Sequence, residues 1–122
     1  MLTRLPARRQ RNSGAAQKVR SVPGHLAWVR GHGCSVPGCQ PDADRPGSDR
    51  IEAAHVRRGT DGGASLKPHD RWAISLCAHH HRRQHEVGEA SFERETGIDM
   101  AALARAFAAR SPHRAKLDEA PL

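Results

Sequence analysis

The order of apolar and polar positions divides the chain into a short helix, a wide β-hairpin and a helical C-terminal part. A short helix is predicted for residues 25–30, since this partly apolar run ends at Gly31. Strands are predicted for residues 50–56 and 71–76, on either side of a loop over 57–70 that contains several glycines. The two strands and this loop indicate a hairpin with a wide tip.

The segment after the hairpin has the pattern of consecutive helices. Residues 78–87 favour a helix that ends at Gly88, because residues four apart there lie on one face. Residues 89–109 are also predicted to be helical, with a break at Gly97. Asp99 is a suitable N-cap for the helix that follows the break.

The ends of the chain differ from the part between them. Residues 1–22 are polar and basic without apolar periodicity, so they are predicted to form a flexible arm. A folded domain is predicted for 23–110, and an unstructured tail for 111–122. The last predicted helix is expected to pack on the domain through an apolar face whose members are spaced by three and four: Met100, Leu103 and Phe107.

Composition indicates a small domain with a thin core. At 122 residues, with 3% aromatic and 37% hydrophobic residues, the chain has little apolar surface to bury. A structural metal would compensate for this deficit. The three cysteines are an odd number, and no signal peptide or membrane-length apolar run is present. A reduced, cytoplasmic setting without membrane association is therefore expected.

The net charge of +7 is concentrated at the N-terminus. Residues 1–30 contain seven Arg and Lys, and the first acidic residue is Asp42; the remaining 13 basic and 13 acidic residues cancel. A basic arm beside a neutral body favours attraction to nucleic-acid phosphates. A solubilising tail is an equally good interpretation of the charge alone.

Two close pairs of ligand residues predict a structural zinc site. Cys34 and Cys39 flank a four-residue turn, and Cys77 and His80 flank a two-residue one. Zinc needs four nitrogen or sulfur ligands in a tetrahedron, and two turns with such short spacings supply them with little strain. The alternative is three unrelated buried cysteines and a surface histidine. Since 79, 80 and 81 are all histidines, the spacing leaves open which of them completes the site.

A second group of histidines suggests a separate site. On a helix that begins at Ala78, His81 and His85 lie one turn apart on the same face, whereas His80 projects about 100° away. Such a pair can bind a divalent ion and leave positions open for water or a phosphate oxygen. The alternative is simply a polar, basic helix face. His55, at the end of the first strand, is placed where a neutral imidazole can accept a proton from water.

The pattern of these residues resembles the HNH nucleases, the ββα-metal superfamily. The residues that carry the resemblance are Cys34 and Cys39, Ala54-His55-Val56, Gly62-Gly63, 72–77, His80-His81 and His85. The chain is most similar to small phage and prophage members associated with recombination, over about residues 25–110. The resemblance implies an α+β fold in which a β-hairpin and a following helix hold a catalytic ion, with a structural zinc and flanking helices nearby.

Roles for individual residues follow from the resemblance. It implies that His55 is the general base and that His81 and His85 bind the catalytic ion. Asp70 lies near the position of the family's residue that orients the base, although it comes earlier in the sequence. The family often has a metal ligand directly before the base histidine.

This chain has Ala54 at that ligand position. Either a water fills it, or Glu52, two residues away on the same strand face, reaches in.

The implied reaction is metal-assisted hydrolysis of DNA phosphodiester bonds, with Mg²⁺ as the first choice of ion. Six arginines are expected to contact phosphates: Arg57, Arg58 and Arg82 near the site, and Arg8, Arg9 and Arg11 in the arm. A recombination protein is a possible partner. Two other classes remain open: a zinc-stabilised nucleic-acid-binding module that does not cleave, and a protein adaptor in which the histidine-rich segment is structural.

Overall fold

The computed structural model describes residues 21–58, 60 and 67–119. These residues form an α+β arrangement of five helices and a two-stranded antiparallel sheet. In chain order the elements are α1 (Pro23–Arg30), β1 (Ile51–His55), β2 (Ala73–Cys77), α2 (Ala78–Val87), α3 (Glu89–Thr96), α4 (Met100–Arg110) and α5 (Arg114–Glu119).

The hairpin is paired in a register that separates its two ends. His55 lies opposite Ala73 at the end next to the long connection, and Ile51 lies opposite Cys77 at the other end. The Val56 backbone N–H donates to the Trp72 carbonyl at 2.8 Å and continues the ladder beyond the strands. Because α2 begins directly after Cys77, it packs on the hairpin without an intervening loop. The predicted strands are confirmed: β1 is one residue shorter at each end, and β2 begins two residues later and ends one residue later than predicted.

The core lies between the hairpin, α1, α3 and α4. All five residues of β2 are buried, as expected for a strand covered on both faces. Met100 and Phe107 of α4 belong to the main apolar cluster, and Leu103 packs against it, so the predicted apolar face is confirmed. Ala54 of β1 is fully buried in the same cluster.

The predicted helix boundaries in the C-terminal half are also confirmed. Helix α2 spans the predicted residues, and Gly88 follows it with φ 85°. Gly97 ends α3 in the left-handed conformation, with φ 77°, which glycine adopts without a steric penalty. The Asp99 carboxylate accepts the Ala102 backbone N–H at 3.1 Å and so caps α4.

The prediction of an unstructured tail over 111–122 is wrong for residues 111–119. Residues Arg114–Glu119 form α5, in which Leu117 is fully buried. Ser111 is also buried, and its hydroxyl lies 2.9 Å from Nδ1 of His25 in α1. A single large apolar residue in a six-residue helix leaves no periodic signal in the sequence, and tertiary packing decides its conformation.

The predicted arm is also too long at its C-terminal end. Val22 is buried, and its backbone N–H donates to Asp70 Oδ2 at 2.7 Å. Residues 1–20, including Arg8, Arg9 and Arg11, lie outside the described residues, as do 59 and 61–66 of the predicted loop and 120–122 of the predicted tail. Among the helices that the structure describes, none has the length and apolar character required to cross a membrane.

His25 joins α1 to the corner between α4 and α5. Its side chain is fully buried, and its Nε2 has no hydrogen-bond partner in the described part of the chain. Burial lowers the pKa of His25 from 6.5 to about 4, because a protonated ring would be poorly solvated there. The folded protein therefore holds this histidine neutral at physiological pH.

Replacement of Leu117 by Ala tests the docking of α5. The loss of a fully buried side chain is expected to lower the free energy of unfolding by about 2 kcal/mol. The matched control is Lys116→Ala, in which an exposed neighbour is truncated and the change is expected to stay within about 0.5 kcal/mol. Urea denaturation followed by circular dichroism provides both values. Equal stability of the two variants would contradict the assignment of α5 to the folded domain.

The buried His25 predicts a pH-dependent stability. The unfolded chain takes up a proton at this histidine near pH 6.5, whereas the folded chain takes it up only near pH 4, so acid favours unfolding in between. The contribution of the neutral His25 ring to the free energy of unfolding is fully present above pH 6.5. Its loss by pH 4 is on the order of 3 kcal/mol.

The measurement compares wild type with His25→Asn, whose amide can approach Ser111 but does not titrate. Protonation of other groups affects both proteins, so the difference between their unfolding free energies isolates His25. We expect wild type to lose more stability than the variant as the pH falls. Parallel curves would refute the assignment.

Candidate functional site

Three thiols and one imidazole meet at the end of the hairpin where α2 begins. The ligand atoms of Cys34, Cys39, Cys77 and His80 all lie within 4.8 Å of one another. His80 Nδ1 lies 3.6 Å from Cys34 Sγ, 3.5 Å from Cys39 Sγ and 3.2 Å from Cys77 Sγ, and the last two sulfurs are 3.9 Å apart. The structure thus brings together the four predicted zinc ligands, and His80 is the member of the histidine triplet that joins them.

Local structure brings each ligand to this point. The Cys39 backbone N–H donates to the Val36 carbonyl across a turn in which Gly38 has φ 74°, as a type II turn requires after Pro37.

The turn is fastened to β2, since the Ser35 N–H donates to the Ser75 carbonyl at 2.8 Å. Cys77 is the N-cap of α2, and its sulfur accepts the His80 backbone N–H at 3.4 Å.

The geometry of this cluster fits a zinc ion. With bonds of about 2.3 Å to sulfur and about 2.0 Å to nitrogen, a tetrahedral ion holds two sulfurs about 3.8 Å apart and a sulfur and a nitrogen about 3.5 Å apart. Most of the observed separations agree, and only that between Cys77 and His80 is somewhat shorter.

The electrostatics of the cluster also call for a cation. Burial and the neighbouring thiols raise the pKa of Cys39 to about 12, so the sulfurs need a cation to ionise together. Burial lowers the pKa of His80, which favours the neutral ring that binds metals. The cluster could hold a metal ion such as zinc.

A separate cleft of about 500 Å³ lies between β1 and α2. His55, His81 and His85 all line it. The three histidines predicted to act together therefore share one cavity, and they come from the end of a strand and from two successive turns of a helix.

The Nε2 atoms of the two helical histidines lie within hydrogen-bond distance of each other. These atoms lie 3.3 Å apart. His81 Nδ1 donates to Glu52 Oε1 at 2.8 Å, which fixes the ring and leaves Nε2 as its acceptor nitrogen. The hydrogen bond from His81 also lowers the pKa of Glu52, against the opposing effect of burial. Glu52 is therefore ionised at neutral pH.

His55 is held by the other predicted carboxylate. Its Nε2 donates to Asp70 Oδ1 at 2.8 Å, while Asp70 Oδ2 accepts the Val22 N–H. Burial alone would raise the pKa of Asp70, but the hydrogen bonds from His55 and Val22 outweigh it and the pKa is lowered. Because an ionised carboxylate can only accept, Nε2 carries the ring proton and Nδ1 retains its lone pair.

Ala54 contributes nothing to this cleft, because its side chain is fully buried in the core. The sequence left two substitutes open for the missing ligand: water or Glu52. In the structure Glu52 contacts His81 through Oε1, and its Oε2 lies 3.5 Å from Arg50 Nε. It therefore positions a neighbouring imidazole.

The predicted phosphate-binding arginines separate into different environments. Arg57 lines the cleft. Arg58 points its guanidinium at Glu93, with 3.3 Å between Nη1 and Oε1, and Arg82 donates to the Pro46 carbonyl at 3.2 Å. Neither Arg58 nor Arg82 lines the cleft, so of the three only Arg57 is placed beside the histidines.

Two further residues of the cleft were not predicted from the sequence. Lys67 lines it from the long connection, which has no regular pattern. Glu89, the first residue of α3, accepts the backbone N–H groups of Arg57 and Arg58 at 2.8 Å each. This carboxylate fixes the chain just beyond His55. The signal available in the sequence was an acidic residue directly after Gly88, where a new helix begins.

Metal analysis of two neighbouring variants tests the assignment of His80. We expect purified wild type and His79→Ala to contain about one zinc per chain and His80→Ala to contain much less, because only the His80 ring reaches the sulfurs. Inductively coupled plasma mass spectrometry gives the content, and thermal melting is expected to show a lower Tm for His80→Ala. Retention of zinc by His80→Ala, or its loss from His79→Ala, would refute the ligand set.

Comparison with known proteins identifies a family. No curated protein and no solved structure matches the chain. A family model described as "Protein of unknown function (DUF968)" matches residues 16–111, which include the hairpin, the cysteine cluster and the cleft. This match covers well over half of the sequence. The chain therefore belongs to the DUF968 family.

Proposed function

We propose that this protein is a metal-dependent endonuclease of the ββα-metal (HNH) type, which hydrolyses phosphodiester bonds of DNA. The observation that carries the proposal is the presence of three imidazoles in one cleft, two of which are oriented by carboxylates: His55 by Asp70, and His81 by Glu52. Histidines that merely form a polar helix surface do not need carboxylates to orient their rings.

The order of elements supports the HNH assignment. An antiparallel hairpin leads directly into α2, with His55 on the first strand and the pair His81 and His85 on the helix. The cysteine cluster closes the opposite end of the hairpin. This is the arrangement that the resemblance in the sequence implies.

The positions of His81 and His85 suit a shared divalent ion. Two imidazole nitrogens bound to one ion at about 2.1 Å lie about 3.0–3.4 Å apart, and the observed separation of the Nε2 atoms is 3.3 Å. Mg²⁺ is the first candidate, and two imidazoles also suit Mn²⁺, Ni²⁺ or Zn²⁺. When bound, such an ion would stabilise negative charge on the phosphate and on the leaving oxygen.

His55 is proposed to be the general base. With its Nε2 proton donated to Asp70, the Nδ1 lone pair is available to accept a proton from an attacking water. The Asp70 carboxylate then stabilises the imidazolium that forms. The same carboxylate fixes the ring plane, since its second oxygen is held by the Val22 backbone.

The charge around the cleft supports an anionic substrate. Arg57 and Lys67 line it together with the histidines, and Glu89, the acidic residue there, is engaged by backbone N–H groups. The six Arg and Lys residues of 1–20 add a polycationic segment. DNA is the substrate that this combination favours.

Plasmid nicking with Mg²⁺ or Mn²⁺ tests the proposed base. His55→Ala is expected to lower the rate by about 10²–10⁴-fold, because a general base contributes in that range. Asp70→Asn is expected to give an intermediate loss, since the amide can still contact the ring but carries no charge. The control is His79→Ala, which removes a histidine that does not line the cleft. Equal nicking rates for wild type and His55→Ala would refute the proposal.

A second function, a zinc-stabilised nucleic-acid-binding module without cleavage, is favoured by one observation. Ala54 is buried, and the Cys₃His cluster is the only group of three or more potential metal ligands within the described ranges, so the cleft offers its ion two imidazoles. Salt-dependent DNA binding by wild type without cleavage under any divalent ion would select this function.

A further inference from the structure

A second pocket, outside the histidine cleft, has three arginines among its seven lining residues. It has a volume of about 360 Å³ and shares no lining residue with the cleft. Its walls come from the segment before β2, from α4 and from α5, and comprise Arg71, Trp72, Arg105, Ala108, Ala109, Arg114 and Asp118. This set is called the arginine pocket below.

The arginine pocket has an excess of positive charge. Arg71 Nη2 lies 3.2 Å from Asp118 Oδ1, and this is the only carboxylate that lines the pocket. Neither Arg105 nor Arg114 has an acidic side chain within salt-bridge distance in the part of the chain that the structure describes. Two guanidinium groups are therefore available to an anionic ligand.

The arginines are partly preorganised. The Arg105 guanidinium lies over the Trp72 ring, 5.8 Å from the ring centroid. Arg114 Nη1 donates to the Ser111 carbonyl at 3.2 Å. This hydrogen bond orients the guanidinium and leaves its other N–H groups as donors. Guanidinium groups held in this way lose less conformational entropy when they bind a phosphate, and they match its geometry.

The pocket is directly connected to the proposed catalytic residues. Arg71 and Trp72 follow Asp70, the residue that holds His55. The Trp72 carbonyl accepts the Val56 N–H, so the pocket wall is bonded to the residue after His55. A ligand in the arginine pocket would thus be placed beside the same end of the hairpin as the cleft.

The N-terminal end of the described chain lies near the same place. Val22 is bonded to Asp70, and His25 contacts Ser111, which lies between α4 and α5. The six Arg and Lys residues of 1–20 precede this point in the sequence.

We propose that the arginine pocket binds a backbone phosphate of nucleic acid at a position away from the phosphate that is cleaved. Arg105 and Arg114 contact the phosphate oxygens, while Asp118 competes with it for Arg71. The identity of the ligand rests on the proposed function, but the binding itself requires no cleavage. A nucleic acid bound there is held at a second point. This second contact orients the scissile phosphate in the cleft.

Fluorescence anisotropy with a labelled DNA duplex tests the pocket. All proteins carry His55→Ala, and no divalent ion is added, so cleavage does not interfere. The double substitution Arg105→Ala and Arg114→Ala is expected to weaken binding by about tenfold. It should also reduce the slope of log Kd against log salt by about 0.9 for each phosphate that the protein no longer neutralises.

The matched control is Arg94→Ala, which removes an exposed arginine of α3 that does not line the arginine pocket. A reduction of affinity and slope no greater than that of the control would overturn the proposal. Arg105→Lys provides a second variant that retains charge but not the planar fork, and an intermediate reduction is expected.

Substitution of Asp118 is expected to change the DNA affinity in the opposite direction. Asp118→Asn removes the competing carboxylate from Arg71 and is expected to tighten DNA binding by a few fold. General loss of structure would weaken binding instead. Unchanged or weaker binding by this variant, with an unaltered melting temperature, would refute the role of Asp118.

These outcomes separate the pocket from the proposed nuclease activity. If wild type nicks plasmid but the arginine variants bind like the control, the pocket proposal is wrong and the nuclease proposal stands. If wild type never cleaves but the arginine variants lose affinity, the pocket proposal stands on its own.

Discussion

The convergence of three sulfurs and one imidazole nitrogen is the constraint on which the rest of the structure depends. It joins the turn of Cys34 and Cys39 to the point where β2 becomes α2, although these segments lie far apart in sequence. Neither the small core nor the short hairpin supplies much stabilisation of its own. Bringing four ligand atoms within 4.8 Å of one another is unfavourable for folding when no cation is bound. Around one divalent ion the same arrangement stabilises the fold.

Helix α2 connects this cluster to the cleft. His80 points at the sulfurs, while His81, the next residue, lies about 100° further around the helix and points into the cleft. The thiol of Cys77 caps the same helix. Consequently, the element that is anchored by the cluster also sets the position of His81 and His85, and a disturbance of the cluster would be transmitted to the cleft through one short helix.

Carboxylates hold the remaining parts of the site in place. Asp70 contacts His55 through one oxygen and the backbone of Val22 through the other, so the proposed base and the N-terminal end of α1 share one anchor. Glu89 fixes the chain beyond His55, and Glu52 fixes His81. Each of these acidic groups accepts hydrogen bonds from the residues that it positions, and its negative charge stays close to the basic residues of the cleft.

The sequence by itself determined the hairpin, the helix α2 and the candidate metal ligands, because strand alternation, glycine and proline punctuation and close ligand spacing are local signals. It could not decide among the consecutive histidines, and it missed α5, where Leu117 is buried only after the chain folds back. The resemblance implied that Asp70 orients His55, whereas tertiary structure alone revealed the contact of Glu89 with the chain beyond His55. Those contacts join residues distant in sequence, and no local pattern encodes which of several acidic residues will meet a given partner.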